Sequence, residues 1–282
     1  MAAKKRWARF PHDQKPFDYA GDALKKAWKS LHAGDLETWP DEKVVAARLK
    51  RNPDLGKDAA RIARALAQAW RDFHRGEFQA ACEAGLALGP LGASVACKAG
   101  GIHAVHLLED EKARNERFAQ LAGFASDAAQ AMPWEANAHF RHAFALGRYG
   151  QGISIAKALA QGLAGRIRAS LDHTLELEPD HAEAHTALGL YHAEIVAKVG
   201  AMIGALTYGA KAGDGERHLR RAVELTPEAP IARIECGNGL MLLYGEKAED
   251  EAAELYEQAT KIAPRDAMEK LDVEFARSQL ED

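Results

Sequence analysis

The sequence has few of the residues and motifs from which a chemical function is usually read. Its 282 residues include only three cysteines, and these are far apart and form no CxxC pair: Cys82, Cys97 and Cys236. Such spacing supports neither a zinc knuckle nor a disulfide framework, so we expect buried, reduced thiols. The chain also lacks GxSxG, GxGxxG and GxxxxGK[ST] sequences. Because these motifs mark nucleophile elbows, dinucleotide sites and phosphate loops, we predict no enzyme, no catalytic residue and no cofactor.

Long hydrophobic runs are missing as well. The longest apolar stretch, residues 195–210, is interrupted by Lys198 and is too short to span a bilayer comfortably. The basic residues 1–17 are not followed by the apolar segment of a secretory signal. We therefore expect a cytoplasmic protein without a membrane span.

Charge gives no indication of a nucleic-acid partner, because the net charge is −4. It is unevenly distributed, however. Through Met132 there are 21 Lys and Arg against 17 Asp and Glu, and beyond it 16 against 24, so the balance changes from +4 to −8. The asymmetry is compatible with two solvated faces, or with a bipolar surface that orients a partner or a second copy.

Proline recurs along the whole chain at a regular interval. Seven of the ten prolines are spaced by 37 to 48 residues: Pro16, Pro53, Pro90, Pro133, Pro179, Pro227 and Pro264. Ten residues after five of these prolines lies a small residue: Ala63, Gly100, Ala143, Gly189 and Gly237. A period of this size is typical of a solenoid, in which each unit buries its apolar face against its neighbours.

Between these prolines the sequence predicts two helices separated by a short break, with no strand-like alternation. After Pro179, the residues Ala184, Leu188 and Tyr191 are spaced for one helix face. Glycine at position 189 destabilises a helix by about 1 kcal/mol relative to alanine. We expect that the glycine is there because the partner helix approaches it closely. A last, unpaired helix is predicted from residue 265 to about 280, capping the stack.

These features resemble those of a known family. The phrase Ala182-x-Ala184-x-x-x-Leu188-Gly189, followed by a helix that ends before Pro227, resembles the tetratricopeptide repeat. The resemblance is strong over residues 134–263, although the family's repeat has about 34 residues and these units are longer. It implies an all-α, right-handed superhelical solenoid of about thirteen antiparallel helices. Residues 16–282 would form a single domain, after a basic, poorly ordered extension over residues 1–15.

The enlarged units also resemble a subgroup of this superfamily. That subgroup includes the regulator of microtubule dynamics proteins and the T-component of tripartite (TRAP) transporters. The alanine-rich, lysine-poor composition is similar to that of bacterial proteins.

In the family that this chain resembles, the first helix of each pair lines a concave groove. The groove candidates by this register are Arg64, Gln68, Asn137, Phe140, Phe144, Arg148, Glu183, Thr186, Leu190, Glu194, Asn238 and Met241. Phe140 and Phe144 are one turn apart, which suits either a core stripe or an aromatic anchor for a peptide. The first functional hypothesis is therefore a non-enzymatic scaffold that binds a protein or peptide segment, and a homo-oligomer is compatible with it.

Two other hypotheses remain open. Glycine-rich apolar insertions over residues 146–165 and 195–215 suit either internal packing or an exposed apolar lip, which would make the protein a carrier of a hydrophobic small molecule or lipid. Histidine pairs at helical spacing suit a metal site: His181 with His185, His139 with His142, and His103 with His106. The positions of the histidines within the repeats favour a packing role. His139 and His185 both fall six residues after a proline of the series, and His103 and His192 both fall thirteen residues after one. We therefore assign no metal ligand.

Overall fold

A computed structural model describes residues 6–281, and no β-strand occurs among them. The α-helices of this stretch are α1 (Ala23–Leu31), α2 (Glu42–Arg51), α3 (Ala59–Arg75), α4 (Phe78–Ala87), α5 (Ala93–His106), α6 (Glu111–Ala131), α7 (Ala136–Gln151), α8 (Ile155–Ala160), α9 (Leu163–Leu177), α10 (Ala182–Val199), α11 (Ala201–Tyr208), α12 (Ala212–Leu225), α13 (Pro230–Tyr244), α14 (Glu249–Thr260) and α15 (Ala267–Glu281). The prediction of an all-α protein is confirmed. Within residues 6–281 none of these helices has the length and apolar content needed to cross a bilayer.

The regularly spaced prolines mark the breaks between helices. Each of the seven lies in the turn or 3-10 segment before one helix: α1, α3, α5, α7, α10, α13 and α15. The residue before a proline is disfavoured in the α conformation, and proline itself is tolerated in a first helical turn. The two helices that exceed the expected thirteen are the short α8 and α11, which form inside the two insertions.

Local signals set many of the helix ends. Aspartates cap α2, α3 and α6, where Asp41, Asp58 and Asp110 accept hydrogen bonds from backbone N–H groups three residues on, at 2.7 to 2.9 Å. Such a cap satisfies a donor that the helix itself cannot. Gly76 ends α3 in the left-handed region, with φ of 89°.

The described residues group into two compact units, and the single domain expected over residues 16–282 stays a prediction. Unit 1 comprises the described residues up to Lys26, together with Thr38–Ser154 and Asp266–Met268. Unit 2 comprises Ala27–Glu37, Ile155–Arg265 and the described residues from Glu269 onward.

In unit 1 each helix from α3 to α6 packs against the next one, as consecutive antiparallel pairs do. In addition, α3 adjoins α5 and α5 adjoins α7. The first helices of successive pairs therefore form one layer of the unit, and α4 and α6 lie outside it.

The N-terminal segment is part of the core of unit 1. Residues 1–15 were expected to be a poorly ordered extension; residues 1–5 lie outside the described residues, and the mostly exposed remainder is anchored by the buried Phe10. Phe10 is 7% exposed, and its ring contacts those of Phe17 and Phe78 edge-on. A Cβ atom at Gly76 would lie 2.8 Å from Phe10 Cγ, so the glycine that ends α3 also makes room for this ring. The expectation therefore requires correction for residues 6–15.

In unit 2, α10 packs against α12 and α13, and α13 packs against α14. The expected close approach at Gly189 is confirmed: a Cβ atom there would lie 2.6 Å from Leu219 Cγ and 3.0 Å from the Gly215 carbonyl oxygen, both in α12. Helix α15 begins at Ala267 rather than at residue 265, and its Ala276 packs with Ile234 of α13 and Ala259 of α14.

Candidate functional site

The groove candidates of unit 1 differ in their accessibility. Arg64 and Gln68 are exposed on α3, where the Gln68 amide donates to Asp72 at 3.0 Å. Asn137 and Phe140 on α7 are buried, with Phe140 only 3% exposed. The assignment of Phe140 to the groove therefore requires correction. Its ring belongs to the core, as the alternative interpretation of the aromatic stripe had it.

Phe144 and Arg148 lie at the edge of a pocket. The half-buried Phe144 ring packs edge-on against Phe118 with centroids 6.1 Å apart, and the Arg148 guanidinium lies 5.9 Å from the Phe144 ring centroid. Phe144 also fills the space above Gly101, where a Cβ atom would lie 2.5 Å from its Cε1. Packing thus holds Phe144 in place and directs Arg148 toward the ends of α5, α6 and α7.

The pocket at these helix ends has a volume of about 340 Å³. Its lining residues are Val105, Glu111, Arg114, Asn115, Phe118, Arg148, Gln151 and Gly152. Asn115 Oδ1 is buried and has no hydrogen-bond partner among the described residues. Arg114 lies 3.8 Å from Glu111, and Arg148 donates to Gln151 at 3.4 Å. Two arginines against one acid, with an acceptor that lacks a donor, suit a ligand that carries both an anionic group and an N–H donor. Of this set, sequence reasoning identified only Arg148.

The groove candidates on α10 in unit 2 contact their own helix and the core of the unit. On α10, the Thr186 hydroxyl donates to the Ala182 carbonyl at 3.1 Å, Leu190 packs on the core around Leu219, and Glu194 pairs with Lys198 at 3.0 Å. These contacts lie within α10 or between α10 and the core of unit 2.

Three candidates remain in unit 2. The Glu183 N–H donates to the Gly34 carbonyl at 3.0 Å. On α13, Asn238 accepts from the Tyr256 hydroxyl at 2.6 Å and donates to Glu235 at 3.0 Å, whereas Met241 is 38% exposed. Met241 is thus the candidate of this unit with the most accessible apolar side chain.

Three of the histidine positions that suggested a metal site make structural hydrogen bonds to the backbone. Three residues that fall six positions after a proline of the series donate to the carbonyl oxygen of that proline: His139 to Pro133 at 3.0 Å, His185 to Pro179 at 2.9 Å, and Arg233 to Pro227. His181 caps α10 by accepting from the Ala184 N–H at 3.0 Å. Among the described residues no group of three His, Cys, Asp or Glu side chains is arranged to hold a metal ion.

The two histidines thirteen residues after a proline share a second role. His103 is buried in unit 1, where its Nδ1 accepts from Arg117 at 2.8 Å and its Nε2 donates to the Ala8 carbonyl at 3.2 Å. His192 is buried in unit 2, where its Nδ1 accepts from the Lys211 N–H at 3.1 Å. Burial, reinforced by Arg117 beside His103 and by Arg168 beside His192, lowers the pKa of each ring to about 4. Both rings are therefore neutral acceptors that hold the second helix of their pair.

Three histidines of unit 2 form a neutral cluster on α10 and α12. His185 Nδ1 and His218 Nδ1 are 2.7 Å apart, and the His192 and His218 rings are stacked nearly parallel with centroids 6.1 Å apart. Because Nε2 of His185 donates to Pro179, its Nδ1 is the acceptor and His218 is the donor. Burial, together with the neighbouring His185, lowers the pKa of His218 to about 4. His218 was not among the candidates from the sequence, because no other histidine lies at the same distance after a proline of the series.

Two buried His–Asp pairs also escaped the sequence analysis. His74 Nδ1 lies 2.7 Å from Asp266 Oδ2 in unit 1, and His32 Nδ1 lies 2.8 Å from Asp35 Oδ1 in unit 2. All four side chains are at most 2% exposed. The His74–Asp266 pair joins segments that are 192 positions apart, whereas His32 and Asp35 are three positions apart.

The thiols are as the sequence led us to expect. All three cysteines are free and buried. Burial raises the pKa of Cys82 and Cys236 to about 11 and that of Cys97 to about 12. They therefore remain protonated and unreactive near neutral pH.

The chain matches no profile of a known protein family, and no curated protein sequence is significantly similar to it.

Proposed function

We propose that this protein is a non-enzymatic scaffold of the tetratricopeptide-like type that binds an acidic peptide segment. The first support is the arrangement of helices inside each unit. Consecutive pairs pack with their first helices side by side, as α3, α5 and α7 do in unit 1 and α10 and α13 do in unit 2. A right-handed superhelix of enlarged repeats is the solenoid that continues this arrangement.

The observation that carries the proposal is the pocket at the ends of α5, α6 and α7. Its two arginines, Arg114 and Arg148, suit a carboxylate, and the unsatisfied Asn115 Oδ1 suits a backbone N–H. A peptide with an aspartate or glutamate supplies both groups within one residue. Its chain would continue beside the half-buried Phe144 ring.

Selection of peptides from a random library on the full chain tests this proposal. We expect the selected peptides to share an aspartate or glutamate. Their affinity should fall about tenfold or more in the variant Arg148→Gln, because a charge-assisted hydrogen bond contributes about 1.5–3 kcal/mol. Arg64→Gln is the matched control, since Arg64 is exposed on α3 of the same unit.

The proposal is refuted if the selected peptides carry no common acid, or if they bind Arg148→Gln as tightly as the unaltered protein. Equal losses in Arg148→Gln and Arg64→Gln would indicate general attraction to positive charge and would refute the pocket. The helical circular dichroism of both variants should equal that of the unaltered protein, because neither side chain is in the core.

A further inference from the structure

The two insertions carry large apolar side chains that face solvent. In α11, Leu206 is 83% exposed, Met202 is 74% exposed and Ile203 is 51% exposed. In α8, Ile155 and Leu159 are 58% and 55% exposed. A surface helix ordinarily turns such residues toward the core, and clusters of them outside it mark an interaction site. The alternative of internal packing therefore does not describe these side chains.

The orientation of α11 is set by its glycine. A Cβ atom at Gly204 would lie 3.4 Å from the Ala210 carbonyl oxygen and 3.6 Å from Ile195 Cγ2, so this side of the helix lies against unit 2. Met202, Ile203 and Leu206 fall within about 100° of one another around the helix axis and oppose Gly204. The apolar face is the outward face of α11. In α8, Ile155 and Leu159 are one turn apart and share a face in the same way.

The segments of sequence that contain the two helices carry charge of one sign. Residues 136–171 and 195–213 contain no aspartate or glutamate, although the chain beyond Met132 has 24 of them. The cations of these segments include Lys157 in α8 and Lys211, the residue before α12, and both are exposed. Helix α8 lies against α9, α9 against α10, and α10 against α11, so neighbouring helices carry the two apolar faces.

We infer that α8 and α11 together form a docking surface for an anionic lipid bilayer. An outward apolar face with flanking lysines and no acid is the pattern of a helix that lies in the membrane interface. The apolar side chains enter the headgroup and acyl boundary, and the lysines are attracted to the negative surface potential of the bilayer. A lipid surface accepts apolar side chains from two short helices without requiring a complementary cavity.

A second copy of the chain fits this surface less well than lipid does. In a two-fold contact the same patch faces itself, so Lys157 and Lys211 of one copy would approach their own equivalents. Like charges brought together in this way oppose association. An anionic bilayer instead neutralises them.

Flotation of the full chain with lipid vesicles tests the inference. We expect binding to vesicles of phosphatidylcholine and phosphatidylglycerol, little binding to phosphatidylcholine alone, and weaker binding as salt is raised. The double variant Met202→Ser/Leu206→Ser should lower the partition coefficient by about tenfold or more, because both residues lose apolar area that enters the bilayer. Lys157→Gln/Lys211→Gln should weaken binding to anionic vesicles only.

The control is Leu86→Ser/Leu280→Ser, which removes two leucines that are 43% and 46% exposed from outside the insertions. It should bind vesicles as the unaltered protein does. Absence of binding to anionic vesicles, or equal binding by Met202→Ser/Leu206→Ser, overturns the inference. So does a lipid-free dimer, measured by sedimentation, that Met202→Ser/Leu206→Ser abolishes. Peptide binding is expected to be unchanged in all these variants, so this inference and the proposed scaffold function fail separately.

Discussion

Replacing Gly189 by alanine tests the contact on which the helix packing of unit 2 depends. At this glycine α10 crosses α12 so closely that an added Cβ atom would meet Leu219 Cγ at 2.6 Å and the Gly215 carbonyl oxygen at 3.0 Å. The Leu219 side chain is itself 1% exposed and has little room to move. The carbonyl oxygen belongs to the backbone of α12, so relief at that point requires the two helices to separate.

Two opposing effects set the expected magnitude. Alanine is favoured over glycine inside a helix by about 1 kcal/mol. Overpacking of a filled core costs about 1–3 kcal/mol, and the backbone contact places Gly189→Ala at the upper end of that range. We therefore expect a net loss of about 1–2 kcal/mol in the free energy of unfolding. Gly123 is the matched control: it lies within α6 and a Cβ atom there would meet nothing within 4 Å. Gly123→Ala should gain up to about 1 kcal/mol.

Urea unfolding followed by circular dichroism measures both variants. The denaturation midpoint should fall for Gly189→Ala and rise for Gly123→Ala, with the slopes unchanged. A double-mutant cycle of Gly189→Ala with Leu219→Ala should show a favourable coupling, because shortening Leu219 removes one of the two clashes. If Gly189→Ala is as stable as the unaltered protein, the close approach of α10 and α12 is not the reason for a glycine at this position.

Three further predictions concern other parts of the chain. Phe10→Ala should lower the free energy of unfolding by about 3–5 kcal/mol, measured by urea unfolding, because its ring is buried; a cost below about 1 kcal/mol would show that the N-terminal segment is dispensable. In the folded protein at pH 8 the thiols should resist iodoacetamide, as judged by mass spectrometry, and rapid labelling would contradict their raised pKa values: Cys82, Cys97 and Cys236. The lowered pKa of His192, about 4, means that the unfolded chain binds its proton first as pH falls below about 6.5. The stability from this group is thus complete above that pH and is lost toward pH 4, by at most about 1.4 kcal/mol per pH unit. His192→Asn should flatten the dependence of the urea midpoint between pH 6.5 and 5, and an unchanged slope would contradict the shift.

The periodic features of the sequence predicted the local architecture well, because they act over a few residues. Proline is disfavoured in the interior of a helix and restricts the residue before it, so the spacing of the seven prolines placed the breaks correctly. The small residue ten positions later predicted a crossing of helices, and Gly189 confirms it. Both inferences need only the chemistry of one residue type and its distance along a helix.

Contacts between distant segments could not be predicted in this way. His74 and Asp266 are 192 positions apart and pair at 2.7 Å inside unit 1. Phe10 likewise lies in a segment whose basic composition suggested a solvated extension, yet it packs beside Gly76. Neither contact repeats along the chain, so no period marks it.

The position of a polar residue within the repeat indicates whether the fold requires it. Six positions after the prolines at 133, 179 and 227, the side chain is a donor to the proline carbonyl each time, so the position is structural. Fifteen positions after a proline of the series the side chains share no chemistry: Leu31, Gln68, Val105, Arg148, Glu194, Leu242 and Gln279. On α10 this position is used within the helix itself, since Glu194 pairs with Lys198 at 3.0 Å. On α7 Arg148 donates to Gln151 at 3.4 Å and lines the pocket beside Asn115, whose Oδ1 has no partner among the described residues, so we expect α7 rather than α10 to contact a partner.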